Sequence, residues 1–546
     1  MSERVGVWIV GALGDVATTL VLGAGAIARD LAPTTGLVSE APPLASLPTV
    51  PLSALVFGGH DVREGTPQAA AANLARAGVI PVSLLAPLEG ELAAFASRIR
   101  PGVTFGAGQL VRGLESPGAA SVRAGGPREA LSLLRQDLAA FREAEGLSRI
   151  VVVALASTEP LPEPLPGLET LDGLQALIAA DDLRVPASVL YAVAAFEEGC
   201  AYVNFTPSLG ATPAGVAALA EARGVPHMGK DGKTGQTLIR TALAPMFAAR
   251  NFQVASWAGF NILGNRDGEV LDEPGANEAK TTGKDKVLGA ILGARLGTSL
   301  TRIDYVPSLG DWKTAWDHIH FQGFLGTQMH LELTWKGADS ALAAPLVLDL
   351  VRLLEFAQRQ GRAGLQPGLA SFFKTPEGTA VQSFPDQIQL LEDYARELAG
   401  ECPGALWQRW FDEVWGRQEL SAVEGLTTPE TKFHLGDQEM SPDDFKGMHG
   451  ALLERFSALK GEVRDPIVAG DQVSVRTSLE LTCRESGETF TLQGQQRAIV
   501  REGKFVEVWD CWDWTPVLEA SGTIPPESLN AFLAAPPSVS VFRSAE

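Results

Sequence analysis

The residues best able to do chemistry lie in Gly-, Asn- and Asp-rich stretches near the middle of the chain. GKDGKTGQT (229–237) carries Asp231 and Thr234, and NILGNRDG (261–268) carries Asn265 and Asp267. Lys280 and Lys284 follow, then GDWK (310–313) with Asp311 and Lys313, and FKTP (373–376) with Lys374. A cluster of ammonium groups can hold a phosphate dianion and stabilise an oxyanion as its charge develops. A lysine partly buried among like charges loses proton affinity and can transfer protons. The same lysines also suit solvated surface loops, and the aspartates suit turn capping. A second candidate stands near the start of the chain, where Gly11 and Gly14 bracket a short turn. Such a turn before a helix brings backbone N–H groups to a pyrophosphate. Its spacing is not GxGxxG, because Leu13 stands where the second glycine would be, so an ordinary tight turn also fits. Asp61 is a ribose carboxylate displaced by a long loop over 33–51, or a helix N-cap.

These groups need a scaffold. The turn at Gly11 lies between an apolar run predicted as a strand over 5–10 and a small-residue helix over 17–29. Further strands are expected over 54–57, 150–156 and 201–204, and helices over 67–77, 129–145, 185–198 and 346–360. IVVVALA (150–156) is β-branched and continuous, as strands buried on both faces of a parallel sheet are. Alternation of strand and helix argues for a parallel sheet. Residues 252–257 and 329–335 alternate like strands of a more open sheet. Near residue 400 the pattern changes. Tryptophans become frequent from Trp407 onward, and helices give way to strands over 471–481, 489–494, 496–501 and 504–509. The predicted organisation is a large α/β part and a smaller α+β part, with the boundary at 401–404.

The chain has 546 residues, and at roughly 150 residues per domain it holds three to four domain-sized units. Lys and Arg number 44 against 65 Asp and Glu, a net charge of −21. That balance argues against nucleic acid or an anionic membrane as partner, although not against a local phosphate pocket. Four widely spaced cysteines give neither a disulfide framework nor zinc-ribbon spacing, so no metal site is expected and a reducing cytoplasm is the natural compartment. Asp15, Thr18 and Thr19 interrupt the apolar stretch over 5–28, against a signal peptide or membrane helix.

Over residues 5–400 the chain resembles the myo-inositol-1-phosphate synthase (inositol-3-phosphate synthase) family. The family's blocks GGxxxTT, GGWDI, NTE, NGSPQNT, GDDxKSGQT, NHLGNNDG, SKEISKS, GDSK and LKAP have counterparts here in the same order. These are GDVATT (14–19), GGHDV (58–62), STE (157–159), NFTPS (204–208), residues 229–237 and 261–268, Lys280 to Lys284, residues 310–313 and 373–376. The resemblance implies a Rossmann-type doubly wound parallel sheet over 1–238 and 341–400, with an inserted α+β catalytic and tetramerisation domain over 239–340. It implies NAD as cofactor, a sugar phosphate as substrate, and conversion of glucose 6-phosphate to 1D-myo-inositol 3-phosphate by oxidation, enolisation, aldol closure and reduction. Carried over residue by residue, Lys280, Lys313 and Lys374 would be the proton-transfer and oxyanion lysines. Lys284 would help to hold the phosphate. Asp231 and Asp267 would orient lysines or hydroxyls, Asn265 and Thr234 would lie near substrate, and Asp311 would orient the nearby lysine. Gly11, Gly14, Thr18, Asp61 and Thr158 would line the NAD site.

Departures keep other readings open. Leu13, Ala17, His60, Phe205, Thr206, Lys230 and Arg266 differ from the family's pattern. A divergent cyclase for another sugar phosphate, or a non-catalytic sugar-phosphate or nucleotide binder, is the alternative. Residues 405–530 resemble SnoaL-like (polyketide-cyclase-like) members of the nuclear-transport-factor-like superfamily, which implies an α+β cone-shaped domain. The segments that carry this are FDEVWGR (411–417), AGDQVSVR (469–476) and REGKFVEVWDCWD (501–513). There His434 with Asp510 or Asp513 fits an acid/base pair, or packing alone.

Overall fold

A computed structural model of the chain describes residues 3–160, 163–264, 268, 287–399, 403–436, 438–469, 471–501 and 503–525. Contacts divide the chain into two compact units, Met1–Ala395 and Arg396–Glu546.

Six strands of the first unit come early: β1 (Val5–Val10), β2 (Leu55–Asp61), β3 (Ile99–Pro101), β4 (Arg149–Ala154), β5 (Ala201–Asn204) and β6 (Pro226–Gly229). Four more, β7 (Gln253–Leu263), β8 (Leu296–Tyr305), β9 (Trp312–Gln322) and β10 (Gln328–Ala338), precede the two-residue β11 (Gly364–Leu365). The main sheet is parallel throughout, in the order β11-β6-β5-β4-β1-β2-β3. The order reverses between β1 and β4, the switch point at which doubly wound sheets bind ligands. β1 is buried at every position, and β4 at all but its first, which is why both read as continuous apolar runs. The helix Asp15–Ala28 packs on Asp339–Arg359, and Gly126–Glu145 on Ala187–Glu197.

β2 runs four residues beyond the expected strand and absorbs the GGHD motif. Glycine makes this possible. A Cβ at Gly58 would stand 2.9 Å from the Trp8 ring, and one at Gly59 would strike the Ile9 carbonyl. Trp8 donates to Nδ1 of the buried His60 at 2.8 Å. The long loop expected over 33–51 is held by the helix behind it. Asp349 accepts from Val38 N and Ser39 N at 2.7 and 3.0 Å, and Arg352 donates to Ser39 Oγ at 2.6 Å.

The open sheet runs β10-β9-β7-β8 and lies on the helix Gln236–Ala249. β7 extends six residues past the expected strand, so Asn261 sits inside the sheet and not in a turn. A fully buried ion pair ties helix to sheet. Asp317 accepts from Arg240 Nε at 3.2 Å, Trp257 Nε1 at 2.8 Å and Gln236 Nε2 at 2.9 Å, and Gln236 in turn accepts from Asn261 at 2.7 Å. Three donors on one carboxylate satisfy a charge that would otherwise be costly to bury.

The second unit holds β12 (Thr427–Leu435), β13 (Gln438–Met440), β14 (Phe456–Ala469), β15 (Gln472–Cys483), β16 (Thr489–Arg501) and β17 (Lys504–Trp512). They form one sheet in the order β13-β12-β17-β16-β15-β14. The two short strands expected over 489–501 are the single β16. Its core gathers the late tryptophans: Trp407, Trp410 and Trp415 pack with Phe411, Phe433, Phe445 and Phe505. No described helix is long and apolar enough to cross a membrane. Cys200, Cys483 and Cys511 are free thiols, and Cys402 lies outside the described residues.

Candidate active site

At the carboxyl ends of β1 and β4 the first unit opens into a cavity of about 560 Å³. Its floor is the Gly-rich turn. Gly11 has φ +93°, and its N–H and that of Ala12 both donate to the His60 carbonyl, at 2.9 and 3.0 Å. A Cβ at Gly11 would come within 3.0 Å of the Ala156 backbone, so the turn needs glycine there. Gly14 is the N-cap of the helix Asp15–Ala28, and no side chain caps that helix end. The first turn, Asp15 to Ala17, lines the cavity. An uncapped helix N-terminus over a glycine cradle suits a pyrophosphate.

Asp61 ends β2 and lines the cavity. It is not a helix N-cap: its carboxylate accepts from Leu13 N at 2.7 Å and Arg63 N at 3.1 Å. Arg63 also reaches back to the Leu13 carbonyl. Leu13, in place of a glycine, thus has its N–H bound by Asp61 at the end of β2 and its carbonyl by Arg63 just beyond it. Thr158 lines the cavity from the carboxyl end of β4. Thr18 does not line it. That side chain is fully buried and its hydroxyl donates to the Gly14 carbonyl at 3.0 Å, which assigns it to shaping the turn.

Across the cavity stand two lysine–aspartate pairs. Lys374 Nζ lies 2.8 Å from Asp231 Oδ1, and Lys313 Nζ lies 3.5 Å from Asp339 Oδ2. Each of these four side chains is less than a fifth exposed. The backbone fixes the first pair, since Lys374 N donates to Asp231 O at 2.6 Å and Asp231 N to Thr206 O at 3.0 Å. Asp231 has φ +63°. Lys313 sits on β9 and not in a turn, so a strand aims it. Thr234 and Gly232 complete this wall, with the Phe205 ring where a Cβ on Gly232 would lie.

Asp311 is bonded to Ser340 and not to Lys313. Its carboxyl accepts from Ser340 N at 3.2 Å and Ser340 Oγ at 2.5 Å, at the start of the helix Asp339–Arg359. Burial pushes that carboxyl up to about 7, and Asp15 and Asp339 push it the same way. The lysine's partner is Asp339, which no motif marked. Three further groups were also missed. Glu159 lines the cavity, bonded to Ser188 N at 2.8 Å and Ser188 Oγ at 2.5 Å, and burial pushes it up to about 7. Lys233, inside the GKDGKTGQT motif, is buried against Gln387 and Phe384, and burial brings it down to about 7. Arg63 is the third. Motif membership marked Lys233 and Glu159 as worth attention, whereas nothing local marks Asp339 or Arg63. Lys280, Lys284, Asn265 and Asp267 lie outside the described residues.

In the second unit His434 is the candidate. His434 pairs with Glu507 at 2.8 Å and stacks on Trp509, so its expected partners Asp510 and Asp513 are not its partners. Asp513 accepts from Thr515 N at 3.0 Å.

Comparison with known proteins places these features. The family profile described as Myo-inositol-1-phosphate synthase matches residues 5–396, and that of SnoaL-like polyketide cyclase matches residues 405–520. The chain is 34% identical over 423 residues to inositol-3-phosphate synthase 1 of Bacteroides thetaiotaomicron, covering 73% of this chain and 96% of that protein. It is 36% identical over 241 residues to inositol-3-phosphate synthase of Trypanosoma brucei, a match that covers 42% of this chain and spans 46% of that relative. Among solved structures, a myo-inositol-1-phosphate synthase-related protein of Thermotoga maritima aligns at TM-score 0.59 and 27% identity, covering 73% of this chain and 99% of that one. The inositol-3-phosphate synthase of Caenorhabditis elegans shares the fold, with TM-score 0.66 at 23% identity over 73% of this chain and 86% of that one.

Proposed function

The chain belongs to the myo-inositol-1-phosphate synthase family, and from that premise we propose that it isomerises glucose 6-phosphate to 1D-myo-inositol 3-phosphate. The observation that carries this is the convergence of a glycine cradle and two lysine–aspartate pairs on one cavity. The residues present fit NAD: the Gly11 turn leaves no room for a Cβ, the helix end at Gly14 is uncapped, and Asp61 ends β2. When bound, NAD supplies a hydride acceptor that returns the hydride later in the turnover. Gly11, Gly14 and the first helical turn hold the pyrophosphate, and Asp61 and Thr158 flank the dinucleotide.

The lysines do the remaining work. Enolisation and aldol closure each put negative charge on an oxygen, and a fixed ammonium lowers the energy of that state. Lys374 and Lys313 supply such ammonium groups. Asp231 and Asp339 keep them aimed until substrate arrives. Lys280 joins them as a proton carrier and Lys284 as a phosphate ligand, with Asn265, Asp267 and Thr234 orienting hydroxyls. Asp311, held by Ser340, sets the start of the helix that carries Asp339, and so positions Lys313 indirectly. The outward face of the open sheet, with Leu300, Trp316 and Ile262 exposed, is the surface through which the chain forms a homo-oligomer, a tetramer in this reading. The compartment is the cytoplasm.

One observation favours a second reading. Phe205 lines the cavity beside Gly232 where the family pattern has glycine, so a differently shaped sugar phosphate is the alternative substrate. The test is incubation of purified protein with NAD and glucose 6-phosphate. Inositol phosphate without net NADH is the expected result. Net NADH accumulation would sink the isomerase reading, and turnover of another sugar phosphate alone would favour the second.

A further inference from the structure

Just beyond β2 the cavity carries a cation that the family pattern did not mark. Asp61 and Arg63 both line the wall that in a doubly wound fold meets the adenosine ribose. In such folds an acidic residue here binds the ribose 2′-hydroxyl, whereas a nearby arginine accommodates a 2′-phosphate. This chain has both. Arg63 Nε stands 3.6 Å from Asp61 Oδ1, and the Arg63 side chain is 24% exposed. Its described contacts are the Leu13 carbonyl and Asp61. A guanidinium has five N–H donors in a fork that matches a phosphate, so donors are left over.

The carboxylate beside it is also altered. Both Asp61 oxygens already accept a backbone N–H, from Leu13 and from Arg63. A lone carboxylate would repel a 2′-phosphate, but Arg63 compensates its charge. Each Asp61 oxygen still has a second lone pair for a ribose hydroxyl. The helix Pro67–Arg76 begins at the same end of the cavity, where Gly65, Thr66 and Ala69 are lining residues. Its N-terminus adds a positive field to that of Arg63.

We propose that Arg63 makes the ribose end of this cavity accept a 2′-phosphate, so that the chain binds NADP as well as NAD. The proposal rests on the reading of this cavity as a dinucleotide site. The test is equilibrium binding, read by fluorescence, of NADH and NADPH to the full-length protein and to Arg63→Ser and Arg63→Lys. The unmodified chain should bind NADPH within about tenfold of NADH. Arg63→Ser should weaken NADPH by about tenfold or more and NADH by less than about threefold, with Arg63→Lys between, since lysine keeps the charge and loses the fork. NADH binding with NADPH weaker by about a hundredfold would overturn the proposal and leave the dinucleotide site standing. Equal loss of both ligands in Arg63→Ser would reduce Arg63 to a strap on Leu13 and overturn it as well. Binding of neither by the unmodified chain would sink the dinucleotide site itself.

Discussion

The two units of this chain treat their chemistry-bearing side chains in opposite ways. In the first, oppositely charged groups pair along the walls of a cavity: Lys374 with Asp231, Lys313 with Asp339, and Asp61 with Arg63. In the second, they are turned out of the core or stranded in it. His434 and Glu507 pair beside Trp509, and the Arg497 guanidinium lies over the Trp509 ring, 5.2 Å from its centroid. His449 is fully buried between Trp415 and Phe445, and neither ring nitrogen has a partner among the described residues. Asp510 lies opposite Gln496 in the β16–β17 pairing, and burial alone pushes its carboxyl up to about 7. Paired charges around open space are poised to reorganise about a ligand. Isolated polar groups in an aromatic core change protonation instead. Membership of an enzyme-rich fold does not by itself give the second unit an active site.

The contrast is broken most directly at Lys374. Lys374→Met should lower turnover of glucose 6-phosphate by about a thousandfold or more, as loss of an oxyanion donor does, while NADH binding persists. His434→Ala should leave turnover unchanged. A comparable loss from His434→Ala, measured in the same assay, would place chemistry in the second unit and erase the distinction.

Packing gives the next largest effect. Trp410 contacts Phe433, Phe445 and Phe505 with ring centroids 5.0–5.6 Å apart. Trp410→Ala should cost about 3–5 kcal/mol in the second unit. Calorimetry should then show two transitions, with turnover kept above the lower one. A single transition that abolishes turnover would mean that the two units fold as one.

How much of this was legible follows the same division. Buried parallel strands could be read because β1 and β4 are apolar at every core position, and the tryptophan-rich change near residue 400 marked the second unit. Lys374 and Asp231 were each marked by motif, but not as a pair, because their pairing depends on a backbone bridge from Gly232 to Phe373, distant in sequence. Asp339 could not be found, because its role comes from the β10-to-helix junction landing beside β9. Strand length was misjudged where glycine or a polar residue is buried in a strand, as at Gly58 and Gly59 in β2 and Asn261 in β7. Those residues look like turns until a neighbouring side chain or a hydrogen-bond network accounts for them. Of the two readings left open for His434, the acid/base pair with Asp510 is not formed because adjacent positions on a strand face opposite sides: Trp509 meets His434, so Asp510 points away from it.

Asp231→Asn sharpens the comparison with a smaller effect. It keeps the shape and removes the charge that aims Lys374, so turnover should fall about ten- to a hundredfold. Turnover equal to that of the unmodified chain would assign Asp231 to the fold alone.

The smallest expected effect is on the acid stability of the second unit, where two desolvated groups, the buried His449 and the half-buried Asp510, oppose one another. Burial brings His449 down to about 4 from 6.5, so between these pH values the unfolded chain takes up a proton that the folded one refuses. Stability therefore falls as pH drops through that window. Asp510 is pushed up to about 7 from 3.8, so over much of the same range the folded chain holds a proton that the unfolded one has released. Its contribution is present in full below the unfolded value and is lost as pH rises through about 7. From pH 6.5 to 4 the two terms have opposite sign, and the melting temperature of the unmodified second unit should change little. Single variants separate them. Asp510→Asn should leave the histidine term alone, so that the melting temperature falls on acidification. His449→Phe should leave the carboxyl term alone, so that it rises. If both variants follow the pH course of the unmodified chain, these groups are not desolvated without a partner, and the contrast drawn between the two units fails at its most specific point.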